Sequence, residues 1–137
     1  MKRRMICLLV VSMFILSNTA FATNWVLVKS TDSLGWKMYE YIDADTVVQK
    51  DSTLIFWYVF KLVKPLGASQ KVYKVEESVA NHQYRVLELY FFVNGKPTKQ
   101  DLTSSKYVDD TNMKDKIDMA LKYAKEGNEI GSVPPPP

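Results

Sequence analysis

Cysteine and histidine, the residues that most often bring metals, disulfides and catalysis into a protein, are almost missing from this chain. The one cysteine, Cys7, sits inside the apolar run Met5 to Leu16, and the one histidine is His82. A lone cysteine excludes an intrachain disulfide, and its place within the run, instead of at its end, argues against a lipid-bearing N-terminus. Zinc and haem sites draw on sets of cysteine and histidine, so no metal and no cofactor is expected. Glycine is sparse as well, with five residues and no glycine-rich loop of the kind that cradles phosphate. The longest apolar run falls short of the ~20 residues that a bilayer-spanning helix needs.

That run has another reading. Lys2, Arg3 and Arg4 precede it, polar Ser17, Asn18 and Thr19 follow it, and Ala20-Phe21-Ala22 supplies small residues where a signal peptidase inspects the chain. Residues 1–22 are therefore expected to be a cleavable secretory signal, leaving an exported chain from Thr23 with no membrane span. The formal charge of +3 belongs to those three basic residues alone; beyond them 15 Lys plus Arg face 15 Asp plus Glu. A neutral balance gives no reason to expect nucleic acid or an anionic membrane as partner. A domain of about 115 residues buries roughly 65% of its unfolded surface, so one disulfide-free domain over 23–130 relies on its core.

Aromatic and β-branched residues dominate from Trp25 to Phe92, broken at short intervals by turn formers, which predicts strands. The first covers Asn24 to Ser30. Thr31-Asp32-Ser33-Leu34-Gly35 is a connector, and Trp36 to Ile42 alternates Trp36, Met38, Glu40 and Ile42 against Lys37, Tyr39 and Tyr41. Asp43 to Thr46 makes a turn that Val47 and Val48 anchor. Thr53 to Lys64 is the most hydrophobic stretch after the signal, suited to a central strand covered on both faces and ended by Pro65 and Gly67. Lys71 to Asn81 and Gln83 to Val93 follow as strands. Asn94-Gly95 fits a type I′ hairpin turn, and an edge strand bearing Pro97 lies between Lys96 and Leu102.

After Thr111 the period changes. Met113, Ile117, Ala120, Leu121 and Ala124 recur at helical spacing, with Lys114, Lys116, Asp118, Lys122 and Lys125 off the stripe. Asp110, Thr111 or Asn112 is available as cap, and Gly127 can end the helix. The expected class is α+β: a single antiparallel sheet of about six strands with a C-terminal amphipathic helix packed on one face. Residues 131–137 end in four prolines and are expected to be an extended, disordered tail.

Candidate chemistry is thin. His82 belongs to a turn. Asp43 with Asp45, and Asp109 with Asp110, lack the further acidic ligands and the glycine of a calcium loop, so capping and turn formation account for them. Glu76, Glu77 and Glu40 offer carboxylate pairs for glycoside hydrolysis, with no cleft to hold a sugar. No catalytic, cofactor or metal residue is assigned, and the chain reads as a non-enzyme. Trp25, Trp36, Tyr39, Tyr41, Trp57, Tyr58, Tyr84, Tyr90 and Phe92 form a ring inventory that serves the sheet core and leaves rings over for recognition. Open sheet edges favour a homodimer by edge pairing or helix exchange.

Several stretches in order resemble the surface-adhesin protein E-like domains of Gram-negative bacteria. They are Trp25-Val26-Leu27-Val28, Tyr41-Ile42-Asp43-Ala44-Asp45-Thr46-Val47, Phe56-Trp57, Tyr73-Lys74-Val75 and Asn81-His82-Gln83-Tyr84-Arg85-Val86-Leu87, across most of 23–125. The resemblance implies the same six-stranded sheet and helix, residence in the periplasm or on the outer cell surface, and in some relatives adhesion to host extracellular-matrix proteins. It departs where relatives often tie helix to sheet by a disulfide: Val79 and Ala80, and Tyr123 to Glu126, contain no cysteine. No binding residue carries over. The leading expectation is an exported adhesin-like binding module with a host or envelope protein as partner. The alternatives are a periplasmic small-ligand carrier with a cavity lined by Trp57, Phe91 and Leu121, or an envelope-assembly factor.

Overall fold

Alternation of rings and β-branched side chains carries the chain into a sheet from Trp25 onward. The computed structural model describes residues 23–102 and 105–137; the expected signal 1–22, with Cys7, lies outside the described residues. Nine strands form: β1 (Trp25–Ser33), β2 (Trp36–Asp43), β3 (Val48–Lys50), β4 (Thr53–Lys64), β5 (Gly67–Ser78), β6 (Gln83–Val93), β7 (Lys96–Lys99), β8 (Val108–Asp109) and β9 (Lys125–Glu126). A 3₁₀ turn at Thr111–Met113 leads into the one α-helix among the described residues, α1 (Lys114–Tyr123). The main order is β1-β2-β4-β5-β6-β7, antiparallel throughout. This is the expected antiparallel sheet followed by a short C-terminal helix.

β4 is central because its side chains are apolar in both directions. Leu54, Phe56 and Tyr58 join Ile42, Val47 and Val75 in one buried cluster, to which Met113, Ile117 and Ala120 contribute from the helix end. Trp57 and Val59 point the other way and pack with Val72. One edge of β4 is shared, with β2 along one half and β3 along the other. The turn between them is built on Asp43, whose buried carboxylate accepts the main-chain N–H of Asn24 (3.2 Å) and Asp45 (3.3 Å) and the Thr46 hydroxyl (3.0 Å).

Local departures from expectation have local causes. The 31–35 connector shrinks to Leu34-Gly35, since Thr31, Asp32 and Ser33 stay paired in β1. β3 is three residues, Val48-Gln49-Lys50, too short for an alternation to reveal it. α1 stops at Tyr123 instead of running to Gly127, because Ala124 turns extended (φ −61°, ψ 131°) and sends Lys125 and Glu126 alongside β3 as the only parallel pairing among the described residues. No side chain caps the helix start. Leu121, expected on the buried stripe, is exposed, while Lys116, expected off it, is buried.

The tail differs most. Residues 131–137, expected to be disordered, lie against the sheet face opposite α1, with Pro134 buried and Ile130 and Val133 packed on the Trp57 cluster. The physical reason is that β4 and β5 present apolar side chains on this face too, and α1 covers only the other. Among the described residues no helix is long and apolar enough to cross a membrane.

Candidate functional site

Period-two alternation places Trp25, Tyr41, Trp57, Val59, Val72, Tyr90 and Phe92 on one face of five adjacent strands, β1, β2, β4, β5 and β6. Trp57 is fully buried, and its ring centroid lies 6.1 Å from that of Tyr90 at an interplanar angle of 55°. Lys74 Nζ sits 5.8 Å from the centre of the same indole, and 3.2 Å from Glu88 Oε2. Lys99 Nζ lies 3.3 Å from Glu88 Oε1, to which the Tyr90 hydroxyl donates at 2.8 Å. Burial works to raise the Glu88 carboxyl, but the Tyr90 hydroxyl and the two ammonium groups outweigh it and hold the group below its usual range.

The chain's own tail occupies this platform. Trp25 Nε1 donates to the Pro135 carbonyl at 2.8 Å, Gln70 Nε2 to Pro137 O at 3.0 Å, and Lys61 Nζ to Pro137 O at 3.4 Å. An indole N–H meeting the carbonyl of a proline-rich strand on an aromatic surface is a recognised way of binding extended peptide. The fit is incomplete: Trp57 Nε1 and Gln70 Oε1 are buried on the same face with no hydrogen-bond partner among the described residues. Each such atom has lost water and gained nothing in return.

The candidate acids do not converge. Glu76 and Glu77 alternate to opposite faces of β5. Glu76 takes Arg85 Nε and Nη2, both at 2.7 Å, and also accepts the Tyr107 hydroxyl. Glu77 is fully buried with neither oxygen hydrogen-bonded, and burial, with the nearby Asp110 carboxylate, pushes its carboxyl up to about 8. Asp110 is itself buried; His82 Nδ1 stands 3.9 Å from its Oδ2, too far for a hydrogen bond, on a largely exposed side chain. Asp109 accepts both the N–H and the hydroxyl of Thr111, which lower its carboxyl. Registers against β4 set Glu40 level with Phe60 and Glu77 level with Leu54, so these two carboxyls stand about 20 Å apart along the strands.

Glu40 belongs to a fastening. Lys116 Nζ reaches Glu40 Oε1 (3.0 Å), Asp115 Oδ1 (3.0 Å) and the Asn112 carbonyl (3.3 Å), and the Tyr58 hydroxyl donates to Glu40 Oε1 at 2.6 Å. Burial first, then Glu40, raises the Tyr58 phenol far above its ordinary range. This polar knot holds α1 to β2 and β4 without a disulfide. The carrier cavity expected from Trp57, Phe91 and Leu121 is not formed. Trp57 and α1 lie on opposite faces, Phe91 alternates with the Trp57-side residues Tyr90 and Phe92, and Leu121 is exposed.

Among the described residues no group of three or more His, Cys, Asp or Glu is placed to hold a metal ion. A surface depression of about 430 Å³ is lined by Lys50, Asp51, Thr53, Glu76 and Asn128 and contains neither Glu77 nor His82. Sequence reasoning placed rings on the sheet but missed their occupant; Ile130 and Val133, two apolar residues in a glycine- and proline-rich end, were the available signal. No family model, no curated protein and no solved structure matches the chain.

Proposed function

We propose that this chain is an exported, non-enzymatic binding module of the bacterial cell envelope, adhesin-like in the sense of the protein E-like domains it resembles. Its partner is an extended polypeptide segment of a host or envelope protein, received on the aromatic face between β1 and β6. The observation that carries this reading is the seating of a polypeptide there already, through Trp25 Nε1 and Pro135 O. Trp57 Nε1 and Gln70 Oε1 remain unpaired beneath it, so a segment whose main chain meets them would displace the tail. On the other face an amphipathic α1 keeps the sheet rigid. The acids fit this reading because each has a structural partner or is buried away from any cleft.

Two measurements test it together. Protease and antibody access to the chain on intact cells is compared with access after outer-membrane permeabilisation, and immobilised extracellular-matrix proteins are then offered to the purified chain. Access on intact cells, with capture blocked by a synthetic peptide of residues 128–137, supports the reading. Protection on intact cells removes the adhesin role and leaves an envelope partner. Capture that is unaffected by that peptide and by Trp25→Ala removes the aromatic face as the site.

A further inference from the structure

Three hairpin turns project from one end of the sheet: Leu34-Gly35 between β1 and β2, Pro65-Leu66 between β4 and β5, and Asn94-Gly95 between β6 and β7. The register sets the first two level, since Lys37 pairs with Val63, which brings Trp36 alongside Lys64 and Gly35 alongside Pro65. Two strands separate them, about 10 Å. The third turn is stepped back by about two residues, because Gln70 pairs with Phe92.

What stands on these tips is apolar. Leu34 is 98% exposed, Leu66 is fully exposed, and Trp36 is 43% exposed with Lys64 Nζ lying 4.8 Å from its ring centre. Folding does not ask for leucine at position 34. Leu34 and Gly35 both have positive φ (50° and 81°), the same turn geometry as Asn94 and Gly95 (51° and 74°). Asparagine suits that slot, and leucine, with its branched bulk, is disfavoured there. The chain thus holds a leucine where it gains no packing and strains the backbone.

The surrounding charge is mostly positive. Segments 30–38, 61–71 and 90–99 carry Lys37, Lys61, Lys64, Lys71, Lys96 and Lys99, opposed by Asp32, which lies across from Lys37, and by Glu88, which takes Lys99. The opposite end gathers Asp43, Asp45, Asp51, Asp109 and Asp110 around Lys50 and Lys125. Lysines therefore dominate the tip end although the composition beyond residue 22 is neutral.

We infer that this end is a membrane-contact edge, on which Leu34, Leu66 and Trp36 enter the headgroup region of an anionic phospholipid leaflet while the lysines sit at its phosphates. Apolar insertion combined with a basic collar is what reversible surface binding requires, since either signal alone is marginal. The apolar tips Leu34, Leu66 and Trp36 make none of the tail's hydrogen bonds, and only Lys61, which meets Pro137 O, belongs to both surfaces.

The test is flotation of the exported chain, purified without detergent, with vesicles of one part phosphatidylglycerol to two of phosphatidylcholine and with phosphatidylcholine alone. Binding to the anionic vesicles only, weakened by salt, is expected. Leu34→Asn with Leu66→Ser lowers it at least tenfold, and Lys64→Gln lowers it roughly fivefold. Leu34→Asn alone also raises Tm, so its loss of binding is not a loss of fold. Absence of binding to anionic vesicles, equal binding to neutral ones, or unchanged binding by the Leu34/Leu66 variant overturns the inference.

Discussion

Glu77 carries an unusual burden for one side chain. Its folded carboxyl titrates near 8 against 4.5 for the free group, with burial as the main cause and Asp110 second. Between those values the folded chain holds a proton that the unfolded chain has released, so stability is greatest below about pH 4.5 for this group and falls as pH rises toward 8. The loss is on the order of 5 kcal/mol. Urea unfolding at pH 5 and pH 9 should show the chain weaker at the higher pH. Glu77→Gln should flatten that dependence and gain stability at pH 9; an unchanged slope would place the titration elsewhere.

At the scale of elements, α1 is held by Lys116 as well as by Met113, Ile117 and Ala120. Lys116→Ala strands Glu40 in a nearly dry site and should cost about 3 kcal/mol. Lys116→Met with Glu40→Gln keeps the volume and the acceptor for the Tyr58 hydroxyl, and should recover all but about 1 kcal/mol in the urea midpoint. If the double variant is as weak as Lys116→Ala, the knot contributes through packing instead of charge. A helical stripe read from sequence counts only apolar letters, so it put Leu121 inside and Lys116 outside. Lysine's long apolar stem lets it lie under a helix once a carboxylate and a phenol wait at the end. The strands were legible for the opposite reason: Gln83–Val93 alternates with period two, and Thr53–Lys64 is a β-branched and aromatic run cut off by Pro65 and Gly67. β3 and β9 were not, since they are two or three residues long, polar apart from Val48, and their pairing depends on where the neighbouring turns leave them. The fold was therefore readable in outline, and the aromatic residues of the candidate site were readable as a set.

For the whole molecule, what could not be read was that the sheet is covered on both faces by one C-terminal region. The chain leaves α1 on one side, passes β3, where Gly127 donates to Gln49 O at 3.1 Å and a Cβ at Gly127 would press Val48 Cγ1 at 3.2 Å, and lays its tail on the other side. Proline content argued for disorder, yet prolines cost little entropy to order and present flat apolar rings to an aromatic face. Removing residues 131–137 should leave the strands paired, shift tryptophan emission to the red and raise dye binding, at a cost of about 2 kcal/mol. Unaltered emission would mean that the tail does not shield Trp25 and Trp57.

The Trp25–Pro135 bond joins positions 110 residues apart, so the two ends of the domain meet at one place. A pull that parts them loads this contact early. Beyond Gly127 the tail is held by side-chain hydrogen bonds and apolar packing, with no main-chain pairing to the sheet among the described residues. Tension therefore peels the tail away while β2, β4 and β5 remain zipped, and the aromatic face is uncovered before the sheet opens.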